Sequence, residues 1–293
     1  MIFVFLSVLF FFFQNIANKE YGVRFSTSPK TLIPFHVFTH IAMLLALLVT
    51  GFECKLPPVG YVYAFLYGLN FVLAINMLMY TFKLGSIGKT TLIVNLSMLL
   101  PMILGLAFWG EKLNTFKMIG IPCVLVCLVL SVSFKNSENA GASAGKWVAF
   151  AFITFLLDGS LSILQKLFLR ACPDASLNAF VSTSVLSGLC VSVIASLVFA
   201  VKDKRLSIPS SNGILIFLLL ALVVGASTAF ATVYNMRALA ELKEGVKVFP
   251  VRQGGLILMI TVYGIFRYKE KFDLKTLFML ISGIAGIILL NME

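Results

Sequence analysis

Charged side chains are scarce in this sequence. Only 12% of its 293 residues are Asp, Glu, Lys or Arg, whereas 60% are apolar. A soluble globular domain has about 25% charged and 45–50% apolar residues. Water does not solvate so large an apolar surface favourably. The shortage of charge therefore excludes an ordinary soluble domain and predicts that lipid surrounds most of the chain.

Residues that bind metals or transfer protons are also few. The two histidines, His36 and His40, are four apart, and so are the cysteines Cys123 and Cys127. Neither pair has the further ligands that a zinc site requires, so we predict no metal and no cofactor. An enzyme that modifies lipids would cluster such residues at a membrane surface, so we also predict no catalytic residues and no enzymatic activity.

The charge that is present is mostly positive. Lys and Arg number 23 against 12 acidic residues, which gives a net charge of +11. The basic residues lie almost entirely between or at the ends of apolar runs, where lipid headgroups meet water. No soluble basic face is left to bind a phosphate backbone. We therefore predict membrane lipid as a partner and exclude nucleic acid.

Long apolar runs are abundant. A helix needs about 20 apolar residues to cross a bilayer, and each run is long enough. The first run lacks the basic start and the cleavage site of a signal peptide, so we interpret it as a retained helix. The pattern predicts an all-α, multi-pass membrane protein of about ten transmembrane helices. The runs cover residues 1–17, 31–51, 59–81, 87–109, 115–134, 147–169, 177–201, 212–238, 246–267 and 274–291.

The two halves of the sequence resemble each other. The segment Asn76–Leu130 can be laid on Asn235–Leu289 at one fixed offset, which places Glu111 on Glu270. Both glutamates close a long apolar run and precede a final one. We therefore predict two five-helix repeats.

A repeat of five helices must be inverted relative to its copy, because five is an odd number of membrane crossings. Inverted repeats are common in transporters that expose a midplane site to alternate sides of the membrane. We predict that residues 1–140 form the first repeat and residues 141–293 the second.

The segment Gly88–Leu113 reads GKTTLIVNLSMLLPMILGLAFWGEKL and ends in a glycine–glutamate–lysine step. Together with the helix that begins near Phe116 and carries Gly120, it resembles the EamA-like ten-helix members of the drug/metabolite transporter superfamily. The resemblance covers nearly the whole chain in length and helix count. The second half departs from the family pattern, because Lys269 replaces the glycine before the corresponding glutamate and Pro250 lies early.

The resemblance implies a secondary transporter, more specifically an exporter, of a small metabolite or drug-like solute. It further implies a central cavity lined by the first, third, fourth, sixth, eighth and ninth helices, with both termini in the cytoplasm. The distribution of Lys and Arg favours the opposite orientation, so both orientations of the termini stay open. We expect the cell membrane as location, a proton or other coupling ion, and a monomer or homodimer. A channel-like facilitator is the first alternative, although the polar residues form no continuous stripe, and a membrane-embedded lipid-modifying enzyme is a more remote one.

Asp158 lies midway along the sixth apolar run. An ionised Asp at a helix centre costs about 2.5–3.5 kcal/mol on insertion scales, and each Val, Ile, Leu or Phe offsets about 0.3–0.6 kcal/mol. The helix can therefore insert, with Asp158 facing other helices or water. Two interpretations stay open: Asp158 couples protons or binds a substrate cation, or it is a hydrogen-bonded packing residue.

Other polar side chains inside the runs are candidates for binding the solute. Each amide needs hydrogen-bond partners away from water, and bonds between helices are the alternative explanation for each one. Arg252 can meet an anionic group, pair with Asp158, or extend to the interface. Pro101 and Pro250 are candidate hinges. With Asp158, the predicted substrate-binding residues are Gln14, Asn70, Asn76, Asn95, Gln165, Tyr234, Asn235, Arg252 and Gln253.

Overall fold

The computed structural model describes residues 1–25, 29–84, 90, 93–131, 144–203, 211–268 and 274–292. Every regular element in these ranges is helical, and a 3₁₀ turn, Leu96–Met98, precedes the fourth α-helix. The α-helices are α1 (Ile2–Arg24), α2 (Pro29–Thr50), α3 (Pro58–Leu84), α4 (Leu99–Phe108), α5 (Thr115–Ser131), α6 (Ala144–Ala171), α7 (Leu177–Asp203), α8 (Ser211–Leu242), α9 (Gly245–Tyr268) and α10 (Leu274–Asn291).

Eight helices in the described part of the chain are long and apolar enough to cross a membrane. Two further apolar helices, Ile93–Phe108 and Thr115–Leu130, are shorter. The prediction of an all-helical, integral membrane protein is therefore confirmed. Ten transmembrane spans and the inverted repeat stay predictions. The start of the Gly88–Leu113 segment and the residues Lys269 and Glu270 lie outside the described ranges.

The distribution of polarity differs from that in a soluble protein, because many large apolar side chains are exposed and some amides are buried. Phe266 is 82% exposed and Val201 is 80% exposed, whereas Gln165 is 3% exposed and Asn235 only 1%. Amides are seldom fully buried in soluble proteins, and large apolar side chains usually are. Lipid around the helices explains both observations.

Several helices extend further than the apolar runs predicted, among them α1 and α8. α1 continues through Lys19 and Glu20 to Arg24, and α8 ends at Leu242 rather than at residue 238. The Glu20 carboxylate accepts a hydrogen bond from the Arg24 guanidinium one turn later, at 3.2 Å. A charged side chain ends the apolar run in the sequence, but the helix itself can continue. Its long charged side chains extend into the interface, where water solvates their charges.

The described chain divides into two compact units. The boundaries fall within α1, α3, α6 and α8, so each unit takes segments from both halves of the sequence. Unit 1 comprises Met1–Val8, Met77–Ile163 and Ala238–Glu293, and unit 2 comprises Leu9–Asn76 and Leu164–Arg237.

In unit 1, α5 and α10 are in backbone contact. A Cβ on Gly286 would lie 3.0 Å from the Gly120 carbonyl oxygen, and one on Gly120 would lie 3.1 Å from that of Gly286. Small residues permit such close approach, which stabilises helix pairs in lipid through van der Waals contact. This close contact explains why glycine occupies position 120, in the helix that follows Glu111.

In unit 2, the largely aliphatic core contains an aromatic stack. Phe168 of α6 stacks on Phe180 of α7 with ring centroids 4.2 Å apart, and both side chains are fully buried. α3 approaches α7 at Gly68, where a Cβ would lie 2.3 Å from the Ser184 carbonyl oxygen. The two helices are so close here that any residue larger than glycine at position 68 would clash with α7.

Candidate functional site

Pro101 accounts for an irregular stretch of backbone in unit 1. Proline has no N–H, so the carbonyl group of Ser97, four residues earlier, receives no helical hydrogen bond from it. At that point Leu96–Met98 form the 3₁₀ turn, and α4 follows. Ser97 lies within the 3₁₀ turn, and Asn95 is the last residue of the short α-helical stretch before it.

Asp158 lies near the middle of α6 and accepts a hydrogen bond from Ser97. The distance from Ser97 Oγ to Asp158 Oδ2 is 2.5 Å. The neighbouring Gly159 lets α6 approach the turn closely, because a Cβ there would lie 3.0 Å from the Ser97 carbonyl oxygen and 2.5 Å from a Leu100 methyl group. The 3₁₀ turn therefore positions the carboxylate through both a hydrogen bond and close packing.

α9 contributes Arg252 and Gln253 to the same region. Gln253 Nε2 donates a hydrogen bond to Asn95 Oδ1 over 2.6 Å, and Arg252 is the neighbouring residue on α9. The Arg252 guanidinium also lies over the Phe249 ring, with Cζ 5.6 Å from its centroid. The Asp158 cluster is defined as Asn95, Ser97, Asp158, Arg252 and Gln253.

A second set of polar side chains lies in unit 2. Asn235 Nδ2 donates to Gln165 Oε1 over 2.8 Å, and Gln165 Nε2 donates to the Tyr67 hydroxyl group over 3.1 Å. Asn235 Oδ1 is buried and has no hydrogen-bond partner among the described residues. A buried acceptor of this kind calls for a donor from water or a ligand. Tyr67, Gln165 and Asn235 are named the Gln165 cluster.

Tyr234 and Asn76 of unit 2 have other roles. Tyr234 stacks on Phe10 with ring centroids 5.7 Å apart, and the Arg237 guanidinium lies over the Tyr234 ring at 5.8 Å. Asn76 Nδ2 donates to the Val72 carbonyl oxygen of its own helix over 2.8 Å. Tyr234 thus lies in an aromatic stack, whereas the Asn76 amide bonds within α3.

The structure divides the ten predicted residues between the two units. Four belong to the Asp158 cluster and two to the Gln165 cluster. Asn70 is buried in α3, and Gln14 is half-buried in α1, both in unit 2.

Three further polar residues lie in these regions and were not predicted from the sequence: Ser97, Tyr67 and Lys166. Serine and tyrosine occur in many membrane helices as packing residues, so nothing in the pattern marked Ser97 or Tyr67. Lys166 had a signal, because it lies inside the sixth apolar run as Asp158 does. It is only 5% exposed and follows Gln165 in α6.

The chain is thus an integral membrane protein of the all-α class whose helices enclose carboxylate, guanidinium and amide groups. No family model and no curated protein matches its sequence. A solved crystal structure of a protein is similar, with a TM-score of 0.73 and 14% identity over 99% of this chain and 95% of that one. At this identity, the similarity shows a shared fold and not a shared activity.

Proposed function

We propose that the protein is a secondary transporter that exports a small metabolite or drug-like solute by alternating access. The resemblance to EamA-like transporters supports this proposal, as do the amide, carboxylate and guanidinium groups inside the helices. A proton or another ion gradient supplies the free energy, and Asp158 is the coupling group.

The observation that carries the proposal is the position of Asp158. It lies mid-helix in an apolar segment, bonded to Ser97 at an irregular turn. Packing alone requires no ionisable group there, and an ionised Asp costs about 2.5–3.5 kcal/mol at such a depth. Carboxylates at membrane depth that bind and release protons are a recurrent part of transporters.

The test begins with a stabilisation screen of the purified protein against metabolite classes, because a ligand that binds the folded state raises the melting temperature. Uptake of the best ligand into proteoliposomes is then driven by a pH gradient. Asp158→Asn keeps a hydrogen-bonding oxygen but cannot exchange a proton. We expect the gradient-driven rate to fall by about tenfold or more, since the coupling step is lost.

Asp174→Asn is the matched control, because Asp174 is exposed in the turn between α6 and α7. It should leave the gradient-driven rate unchanged. If wild type and Asp158→Asn respond equally to the gradient, the coupling role is wrong. Saturable counterflow would separate the carrier from the channel-like alternative, which would show neither saturation nor counterflow.

A further inference from the structure

The turn after α4 carries the glycine–glutamate–lysine step of the resemblance, and its geometry is specific. Gly110 has φ +70°, a left-handed conformation that glycine adopts without strain. The turn folds back, so that the Glu111 N–H donates to the Gly105 carbonyl oxygen over 3.1 Å. The Glu111 side chain lies against Gly105, where a Cβ would be 2.8 Å from the carboxylate carbon.

From this position, Glu111 reaches the start of α9. Its Oε2 accepts a hydrogen bond from the Val246 N–H over 2.7 Å. Val246 is the second residue of α9 (Gly245–Tyr268), and the first N–H groups of a helix have no partner within the helix. A carboxylate at a helix N-terminus also interacts favourably with the helix dipole. Glu111, 135 positions earlier in the chain, therefore caps α9 from outside.

The first turn of α9 is also weakened from within the helix, by a proline. Pro250 lacks the N–H that would bond to the Val246 carbonyl group, and its ring crowds that carbonyl group. A second contact secures the same end: Lys117 Nζ lies 2.6 Å from Glu244 Oε2, just before α9 begins. Lys117 is 8% exposed, whereas the Glu244 side chain is 39% exposed, so this ion pair is only partly shielded from water.

We infer that Glu111 is a positioning residue for the Asp158 cluster, which it serves by fixing the start of α9. Arg252 and Gln253 lie six and seven residues beyond Val246 on that helix. Loosening the first turn of α9 shifts Gln253 relative to Asn95 and Arg252 relative to Asp158. The inference rests on the proposed function only where it assigns a role in transport; the cap itself does not depend on transport.

The test is hydrogen–deuterium exchange of the full-length protein, read on peptides that cover the start of α9 and the stretch around Gln253. In Glu111→Ala, both peptides should exchange about tenfold faster, as expected for a lost cap. Glu111→Gln keeps an acceptor oxygen and should stay within about threefold of wild type. Peptides from unit 2 should not change.

Gly105→Ala is the sharper variant, because it leaves Glu111 in place. The added methyl group displaces the carboxylate, the flexible end of a side chain, and the exchange should resemble that of Glu111→Ala. Gly145→Ala is the matched control, since a Cβ at Gly145 meets no atom within 4 Å. It should exchange like wild type. Gly105→Ala and Glu111→Gln keep the test decisive if Glu111→Ala does not fold.

The inference would be overturned if the start of α9 in Gly105→Ala exchanged at the wild-type rate. It would also be overturned if Glu111→Gln and Glu111→Ala exchanged at the same rate. Transport of the ligand from the stabilisation screen gives a separate readout. If the exchange results hold but no solute is transported, the cap stands and the proposed function fails. If transport is coupled through Asp158 but α9 is unaffected, the proposed function stands and the cap fails.

Discussion

At the scale of single residues, Gln165 supports the buried hydrogen bonds of unit 2. It accepts from Asn235 and donates to Tyr67, so one amide satisfies two partners on other helices. Removing it takes one hydrogen-bond partner from the buried Asn235 amide and one from the Tyr67 hydroxyl group. An unsatisfied buried group costs about 1–3 kcal/mol, although hydrogen bonds between membrane helices average nearer 0.6 kcal/mol.

We therefore expect Gln165→Leu to lower the free energy of unfolding by about 1–2 kcal/mol. Asn76→Leu is the matched control, because among the described residues the Asn76 amide bonds to a carbonyl group of its own helix, and its loss should cost less. Chemical denaturation of both variants in one detergent measures the difference. Equal destabilisation would show that the Gln165 cluster contributes nothing beyond local bonding.

At the scale of helices, the contact of α3 with α7 depends on Gly68. A Cβ there would lie 2.3 Å from the Ser184 carbonyl oxygen and 2.8 Å from the Gly188 nitrogen, and both atoms belong to the backbone. Backbone atoms cannot rotate away as a side-chain end can. A methyl group at this position therefore forces the two helices apart.

Gly68→Ala should destabilise unit 2 by about 1–3 kcal/mol, the usual range for overpacking. Gly22→Ala in α1 meets no atom within 4 Å, and alanine is the better helix former by about 1 kcal/mol, so it should be neutral or stabilising. Melting temperatures of the two variants test the contrast. A Gly68→Ala protein as stable as wild type would mean that α3 and α7 separate easily.

The sequence predicted helices well and their contacts poorly, for a physical reason. Composition and the length of the apolar runs together predict lipid-embedded helices, because unpaired backbone groups are not tolerated in a bilayer. Helix ends were misjudged at Lys19, where a charged side chain reaches water without ending the helix. The pairing of Asn95 with Gln253, 158 positions apart, has no local signal. Asp158 was predictable, but its partner Ser97 was not, since a serine carries no charge to mark it.

At the scale of the whole molecule, the net charge is +11, and many of the basic residues lie where lipid headgroups would meet them. Exposed lysines occur at helix ends and in the loops beside them, including Lys55, Lys112, Lys146 and Lys275. Each basic residue near an anionic surface contributes about 1 kcal/mol of attraction. Anionic lipid should therefore stabilise the folded protein in its membrane.

We expect a higher melting temperature in nanodiscs that contain anionic phospholipid than in purely zwitterionic ones. The difference should shrink in 1 M salt, where the Debye length falls to about 3 Å. A charge-neutral detergent series provides the control for general effects of salt on stability. Equal melting temperatures in both lipid compositions would show that the basic residues serve orientation alone.

The contact of Gly105 with Glu111 has a consequence for how the sequence can diverge. A methyl group gained at position 105 occupies the space of the acidic group at 111. A substitution at either position is therefore not neutral while the other position keeps its present residue. Related genes should therefore substitute the two positions together. Such paired variation would be visible in their sequences before any further structure is determined.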